Sequence, residues 1–289
     1  MRARGTLSVG SRGASFTIAG SESIVSQWSE CKSPMKKKPP KSSPGSRVGA
    51  RSSPRASKRS TLATSRPPIR IVITAGPTYE PIDSVRFIGN RSSGRVGVSL
   101  ADAAAGLSWD TVLLLGPGTV LPEDPRVRVQ RFRTTDDLRS LLAKHTDFDV
   151  LIMAAAVADY RPVVDPALLA AAGNKLRRQS SGLTLQLEAT PDLLAEIGAR
   201  KAPSQVLVGF ALEPAHRLES SAREKLTRKK LDLIVANELK TMDATTIQAS
   251  VFDSQGGRLD TPGAVTKRRF ATWLLKRIKA SLAHTRTTL

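Results

Sequence analysis

Residues 89–97 read GNRSSGRVG, and their glycine spacing is that of a phosphate-binding loop. A Walker A loop places four residues between two glycines and follows them with Lys and then Ser or Thr. Gly89 and Gly94 keep that spacing, but Arg95 and Val96 fill the last two positions. Arg95 preserves a positive charge, whereas Val96 cannot ligate Mg2+. A dinucleotide fingerprint fails too: the first turn after an apolar run reads AGPTYEPID and lacks the second glycine that lets backbone approach a pyrophosphate. What remains is NRSSG opening a helix, with Ser92 or Ser93 as the cap and free N–H groups turned toward an anion. Gly94 and Gly97 permit close approach, and Asn90 can both donate and accept beside them. Two readings stay open on these residues: a phosphate or carboxylate cradle, and a capped helix with two solvated arginines.

Three further stretches carry candidate chemistry. AAAVADYRP ends an apolar run with small residues and then presents Asp159, Tyr160 and Arg161. A carboxylate there needs a partner, such as a hydroxyl, an amide or an exocyclic amine, unless it lies on a surface turn. NKLRRQ holds Lys175, Arg177 and Arg178, and AREKLTRKK holds Lys225 and Lys229 one helical turn apart. Taken singly, each of these basic runs reads as a solvated face.

The elements that would position these residues alternate in type. IRIVIT, DTVLLLG, DVLIMAAAV, QVLVGFAL and LDLIVAN are short apolar runs of buried-strand character, and RVRVQRF and LTLQLEA alternate. Between them lie helical patterns. TTDDLRSLLAKH opens with a cap and acidic residues and sets Leu138, Leu141 and Leu142 on one face. PDLLAEIGA places Pro191 in a first turn. IQASVFDS-QGG-RLD reads as a hairpin, and TKRRFATWLLKRIKASL as a closing amphipathic helix. The fold class is α/β, a Rossmann-like three-layer architecture. A parallel or mixed sheet carries helices on both faces and ends in a C-terminal hairpin. Ligands in such sheets sit beyond the carboxyl ends of strands. That places function after Thr74, Ala156, Phe210 and Asn237.

The 289 residues carry a formal net charge of +20, unevenly placed. Residues 1–68 hold 14 Lys+Arg against 2 Asp+Glu, and residues 69–289 hold 31 against 23. The first segment is Ser-, Pro- and Lys/Arg-rich and reads as a disordered basic tail. Three origins fit it: a start at Met35, a solvated tail with loose nucleic-acid affinity, or an organelle transit peptide. The second segment reads as one catalytic domain. Cys31 stands alone, which excludes an intrachain disulfide, and His145, His216 and His284 show no metal-ligand spacing. No apolar run approaches the ~20 residues of a membrane span. A soluble, cytoplasmic protein with no membrane partner and no protein-held metal is expected.

Read together and in order, ITAGPTYEPIDSVRFIGNRSSGRVG, AAAVADYRP, NKL, TPDLL, VGFALE and AREKLTRKKLDLIVAN resemble phosphopantothenoylcysteine synthetase, the ligase of coenzyme A biosynthesis, in its bacterial form. The resemblance runs from about Ile69 to the last helix and does not reach residues 1–68. It implies joining of 4′-phosphopantothenate to cysteine through an acyl-nucleotidylate, with CTP split to CMP and pyrophosphate and Mg2+ as the cofactor that accompanies it. It implies Asn90 and Lys175 as catalytic residues. Met153, Ala154, Ala155, Asp159, Lys175, Pro191, Asp192, Leu193, Leu194, Phe210, Lys225 and Lys229 would hold the nucleotide. Gly76, Asn90, Ser92, Ser93 and Gly94 would hold substrate anions. It also implies a homodimer in which the strand at LTLQLEA helps the partner's site. The sequence departs from the family where Arg177 and Arg178 replace lysines. Residues 1–68 are too short and polar for the flavin-dependent decarboxylase domain that many members carry, so a separate decarboxylase and no flavin are expected. CTP and ATP are not distinguished by these residues. Two other functions are compatible with parts of the chain: an NAD(P)-type oxidoreductase on the same fold, and nucleic-acid binding through the basic tail. The first would want a Gly-rich first turn and a Tyr-x-x-x-Lys pair, and neither is present.

Overall fold

The computed structural model describes residues 67–288 except 179, 181 and 243. The expected basic tail therefore lies, as far as residue 66, outside the described residues. The chain proceeds through β1 (Arg70–Ala75), β2 (Tyr79–Pro81), β3 (Phe87–Gly89), α1 (Arg95–Gly106), β4 (Asp110–Leu115), β5 (Arg128–Arg131) and α2 (Thr135–Lys144). It continues with β6 (Val150–Met153), β7 (Tyr160–Val163), α3 (Pro166–Ala171), β8 (Gln186–Ala189), α4 (Leu193–Arg200), β9 (Val206–Glu213) and α5 (Leu218–Arg228). It ends with β10 (Leu233–Glu238), β11 (Thr246–Ile247), β12 (Ala249–Asp253), β13 (Arg258–Asp260), β14 (Val265–Thr266) and α6 (Lys267–Thr288).

Eight strands form one sheet in the order β13-β12-β10-β9-β6-β1-β4-β5. The pairings from β10 to β5 are parallel, and β12 pairs antiparallel with both β10 and β13. The β12–β13 pair is the C-terminal hairpin expected from IQASVFDS-QGG-RLD. The chain winds outward from β1 through β4 and β5, then returns to β6 and winds the other way. The switch point lies between β1 and β6, where adjacent loops diverge and leave a crevice.

Strand alternation sorts the core into two layers. Ile71, Ile73 and Ala75 face α1 and α6, meeting Val98, Leu100, Phe270, Leu274 and Ile278. Val72, Leu114 and Leu151 face the other way, onto Leu138 and Leu142 of α2, Ile197 of α4 and Leu226 of α5. Trp109 and Phe252 close the two layers, both buried. Of the leucines placed on one face of α2, Leu138 and Leu142 are buried and Leu141 is half-buried. Among the described residues no helix is long and apolar enough to cross a membrane.

Helix starts depart from the sequence reading in two places. The residue capping α1 is neither Ser92 nor Ser93 but Gly94, in the left-handed region at φ 64°, and no side chain caps that end. Ser92 Oγ instead accepts from the Gly94 N–H at 3.3 Å. A side-chain cap needs a β-region residue at that point, and a left-handed glycine takes the position instead. Pro191 precedes α4 rather than sitting in its first turn. Asp192 is the cap, accepting from the Ala195 N–H at 3.1 Å. The cap on α2 is as expected. Thr134 and Asp137 form a reciprocal capping box, and buried Glu80 accepts from the Thr135 N–H at 2.9 Å and from its hydroxyl at 2.7 Å. LTLQLEA contributes only β8, paired antiparallel with β7 outside the main sheet.

The β2–β3 hairpin is closed by one buried carboxylate. Asp83 accepts from the Val85 N–H at 2.9 Å, the Arg86 N–H at 2.7 Å, Arg86 Nε at 2.9 Å and the Leu176 N–H at 3.2 Å. Arg86 also donates to Leu176 O at 2.8 Å, so the same pair ties the hairpin to the loop carrying Lys175. The Arg86 guanidinium outweighs the cost of burial and, with the backbone donors, holds the Asp83 carboxyl well below the usual carboxylate range. Asp83→Asn removes the charge that these donors converge on. It is expected to lower stability by about 2 kcal/mol, read as a shift in the urea midpoint with unchanged slope. Faster amide exchange at residue 176 should accompany it.

Candidate active site

The cavity at the switch point has a volume of about 750 Å³. Five stretches wall it: residues 90–97, 153–159, 190–194 and 210–212, and the end of α5 at Lys225, Arg228 and Lys229. Asn237, Thr241, Met242, Ile247 and Lys267 complete it. Three of the four positions singled out from sequence, those after Ala156, Phe210 and Asn237, border this space, although β9 runs on past Phe210 to Glu213 instead of ending there. The fourth, after Thr74, lies directly beneath it.

The floor is stitched across the gap between β1 and β6. Ala156 donates its N–H to Gly76 O at 2.9 Å, and Thr78 donates its N–H to Ala156 O at 3.2 Å. Thr74 Oγ1 accepts from the Ala155 N–H at 3.0 Å, and Thr78 Oγ1 from the Ala158 N–H at 2.9 Å. The rim is continued by the Thr190 N–H, which donates to Asp159 O at 3.0 Å. The small residues 154–158 allow these backbones to meet and keep the floor free of side-chain bulk.

Asn90 donates through Nδ2 to Val157 O at 2.8 Å. That contact joins the glycine-rich turn to the floor and leaves the amide oxygen as the open acceptor. Next to it, the left-handed Gly94 starts α1 with its first N–H groups unsatisfied, the arrangement that favours an anion. Gly97 lets the helix lie directly on the sheet. A Cβ at Gly97 would come 2.5 Å from the Ala75 Cβ. The left-handed Gly76 is not a wall residue; it packs under Gly94. Asp159 is exposed at the rim.

Six basic residues (Arg91, Arg95, Lys225, Arg228, Lys229 and Lys267) and two acidic ones (Asp159 and Asp192) line the cavity, a net of +4. The two lysines singled out from α5 are held by internal carboxylates. Lys229, at the end of the helix, donates to Asp192 at 2.9 Å, with Arg228 3.4 Å away. Lys225 donates to Glu213 at 2.5 Å, and Glu213 also accepts from Ser221 Oγ at 2.7 Å. Burial is the largest single influence on Asp192 and Glu213 and disfavours their charge. It is outweighed by the lysine of each pair acting together with the Ala195 N–H and Arg228 at Asp192 and with Ser221 and Arg217 at Glu213, so both carboxyls lie below their ordinary range. Each ammonium keeps protons free for a ligand, so the pairs orient the lysines rather than consume them.

Of the residues proposed from sequence, Asn90, Ser92, Ser93, Gly94, Met153, Ala154, Ala155 and Asp159 share this cavity with Pro191, Asp192, Leu193, Leu194, Phe210, Lys225 and Lys229. Lys175 does not line it; its side chain is exposed on the loop held by Asp83 and Arg86. Sequence reasoning missed Thr190, Arg228, Thr241, Met242, Ile247 and Lys267. Arg228 sat in a run that read as solvated and Lys267 at the start of the closing amphipathic helix, and no local pattern links Lys267 to the glycine-rich turn far before it in the chain. Among the described residues no group of three or more His, Cys, Asp or Glu side chains could hold a metal ion.

Residues 68–282 match the sequence pattern of the DNA/pantothenate metabolism flavoprotein C-terminal domain. A protein named cysteine/cysteine sulfinic acid decarboxylase, from an unknown prokaryotic organism, is 43% identical over 172 residues, covering 59% of this chain and 46% of that protein. The coenzyme A biosynthesis bifunctional protein CoaBC of Bacillus subtilis is 38% identical over 199 residues, covering 66% of this chain and 47% of its own length. The chain thus spans about half the length of these relatives. The solved C-terminal domain of a CoaBC protein superposes with a TM-score of 0.62 at 33% identity, over 75% of this chain and 96% of that domain.

Asp192 and Glu213 set a direction for acid sensitivity. Their folded-state values are depressed below the ordinary 3.8 and 4.5. The stability they contribute is complete above those ordinary values and is lost as pH falls through the lower folded ones. Urea midpoints measured from pH 6 to pH 3 should fall mainly below about pH 4.5, and the double substitution Asp192→Asn with Glu213→Gln should flatten that fall.

Proposed function

The chain belongs to the DNA/pantothenate metabolism flavoprotein C-terminal domain family, and from that premise we propose that it is a ligase joining 4′-phosphopantothenate to cysteine with CTP. The observation that carries this reading is the cavity of net charge +4 at the switch point, with the start of α1 and the Asn90 amide on one wall and Lys225 and Lys229 on another. Such a cavity suits two phosphorylated ligands brought together.

In this reading a carboxylate oxygen of phosphopantothenate attacks the α-phosphorus of CTP, and pyrophosphate leaves. The cysteine amine then attacks the activated carbonyl, loses a proton, and expels CMP to give the amide. The chain's own residues bind, orient and neutralise. The N–H groups opening α1 and the α5 lysines meet the phosphate oxygens, and the open Asn90 oxygen holds the acyl-nucleotidylate by accepting a hydrogen bond. Asp159 accepts from a sugar hydroxyl or a base amine. Mg2+ enters with CTP, bound to its phosphates.

The test is pyrophosphate release by the full chain with phosphopantothenate, Mg2+ and either CTP or ATP, with and without cysteine. Release dependent on phosphopantothenate, and amide formed only with cysteine, is the expected result. No release with either nucleotide sinks the reading. Asn90→Asp sets a carboxylate against the anionic intermediate and is expected to slow amide formation at least about tenfold, equivalent to about 1.4 kcal/mol. Lys175 stands outside the cavity wall, and its catalytic role in this reading comes from the family resemblance alone; Lys175→Gln is expected to slow pyrophosphate release, and an unchanged rate would remove that role.

The same reading includes a homodimer. Val85 and Phe87 on the β2–β3 hairpin, and Tyr160 and Val163 on β7, are exposed apolar residues on neighbouring pieces of the surface. Sedimentation equilibrium should give twice the chain mass, and Phe87→Asp with Tyr160→Asp should return it to one chain.

A further inference from the structure

The glycine-rich turn is supported from below by a residue that the ligase reading leaves unused. The chain leaving β4 curves under the site as Gly116-Pro117-Gly118-Thr119, and Thr119 is half-buried there. Its hydroxyl donates to Gly116 O at 2.7 Å, which fixes the side-chain torsion. With the hydroxyl so placed, the γ-methyl points at two glycines at once. A Cβ built on Gly94 would lie 2.5 Å from that methyl carbon, and one built on Gly76 would lie 2.6 Å from it. Both glycines have positive φ, 64° and 86°. The same virtual Cβ of Gly94 would stand 3.1 Å from the Gly76 nitrogen. The start of α1 is therefore seated against the Gly76 backbone and the Thr119 methyl.

Neither near relative of threonine reproduces this. Serine keeps the hydroxyl bond and loses the methyl, leaving a void between the two glycines. Valine keeps the methyl but sets a second one where the hydroxyl oxygen lies 2.7 Å from Gly116 O, inside ordinary carbon–oxygen contact.

We propose that Thr119 is the positioning residue of the anion-binding turn. Its γ-methyl sets the height of Gly94, and hence of the first N–H groups of α1, relative to the cavity. Its consequence for nucleotide binding rests on the ligase reading; the mechanical role does not. Thr119 touches no ligand in this scheme and acts through Gly94.

The decisive experiment compares the full chain with Thr119→Ser, Gly94→Ala and the double variant. Amide hydrogen exchange at residues 93–97 is read without any ligand, and KM for CTP and kcat are read in pyrophosphate release. Thr119→Ser is expected to speed exchange in that segment while leaving the core amides of β1 and β6 unchanged. It should raise KM for CTP about fivefold with kcat changed much less, the signature of weakened uniform binding. Gly94→Ala drives a methyl into the Thr119 methyl and is expected to do more harm. In the double variant that clash is relieved, so the two effects are expected to be less than multiplicative. Unchanged exchange in Thr119→Ser, or a purely multiplicative double variant, would overturn the proposal. A wild-type chain that releases no pyrophosphate would overturn the ligase reading alone, and the exchange data would still decide on Thr119. Should Gly94→Ala fail to fold, exchange in Thr119→Ser carries the decision.

Discussion

Everything functional in this molecule depends on how the gap between β1 and β6 is bridged. Parallel strands that diverge at a switch point leave peptide groups with no neighbour in the sheet, and buried peptide groups must find partners. Here the residues after β1 and after β6 bond to each other: Gly76 with Ala156 and Thr78 with Ala156 through backbone, Thr74 and Thr78 through their hydroxyls. Two threonines and a run of alanines thus turn an awkward topological seam into a rigid floor. The Asn90 side chain reaches the same floor at Val157, so the turn that opens α1 is registered to the seam as well as to its own helix.

The electrostatics follow a related logic. A cavity lined by six cations would repel itself if each were left alone. Asp192 and Glu213 are placed behind Lys229 and Lys225, which lowers the cost of gathering the charges and fixes where each ammonium sits. Gly198 contributes to the same end: a Cβ there would come 1.9 Å from Lys229 O, so α4 can lie against the end of α5 only because that position is bare. Preorganisation of this kind reduces what binding must spend on ordering long side chains.

Much of this was legible in the sequence. The runs IRIVIT, DTVLLLG, DVLIMAAAV, QVLVGFAL and LDLIVAN announced central parallel strands because burial on both faces leaves their middles almost wholly apolar, and the C-terminal parts of the last three border the cavity. The capping box on α2 was legible because its signal is local. The start of α1 was misread because Ser92 and Ser93 carry the usual capping chemistry, and nothing local reveals that Gly94 would adopt a left-handed conformation against Gly76. Lys267 could not be found because its place on the wall depends on α6 crossing α1, a contact between segments about 170 residues apart. The β2–β3 hairpin was invisible because its strands are three residues each and the carboxylate that closes it looks, in sequence, like one more loop aspartate.

The position of α6 has a consequence for how the protein comes into being. The face of the sheet that presents Ile71, Ile73, Val150 and Val208 is covered partly by α1 and partly by Phe270, Leu274, Leu275 and Ile278 of α6. On the ribosome, α1 and the sheet strands emerge long before that last helix. The nascent chain carries an open apolar face until residue 282 or so has cleared the exit tunnel, a state that invites chaperone binding and punishes premature termination. A chain stopped at residue 269 would carry every residue of the cavity wall and no lasting means of keeping them together.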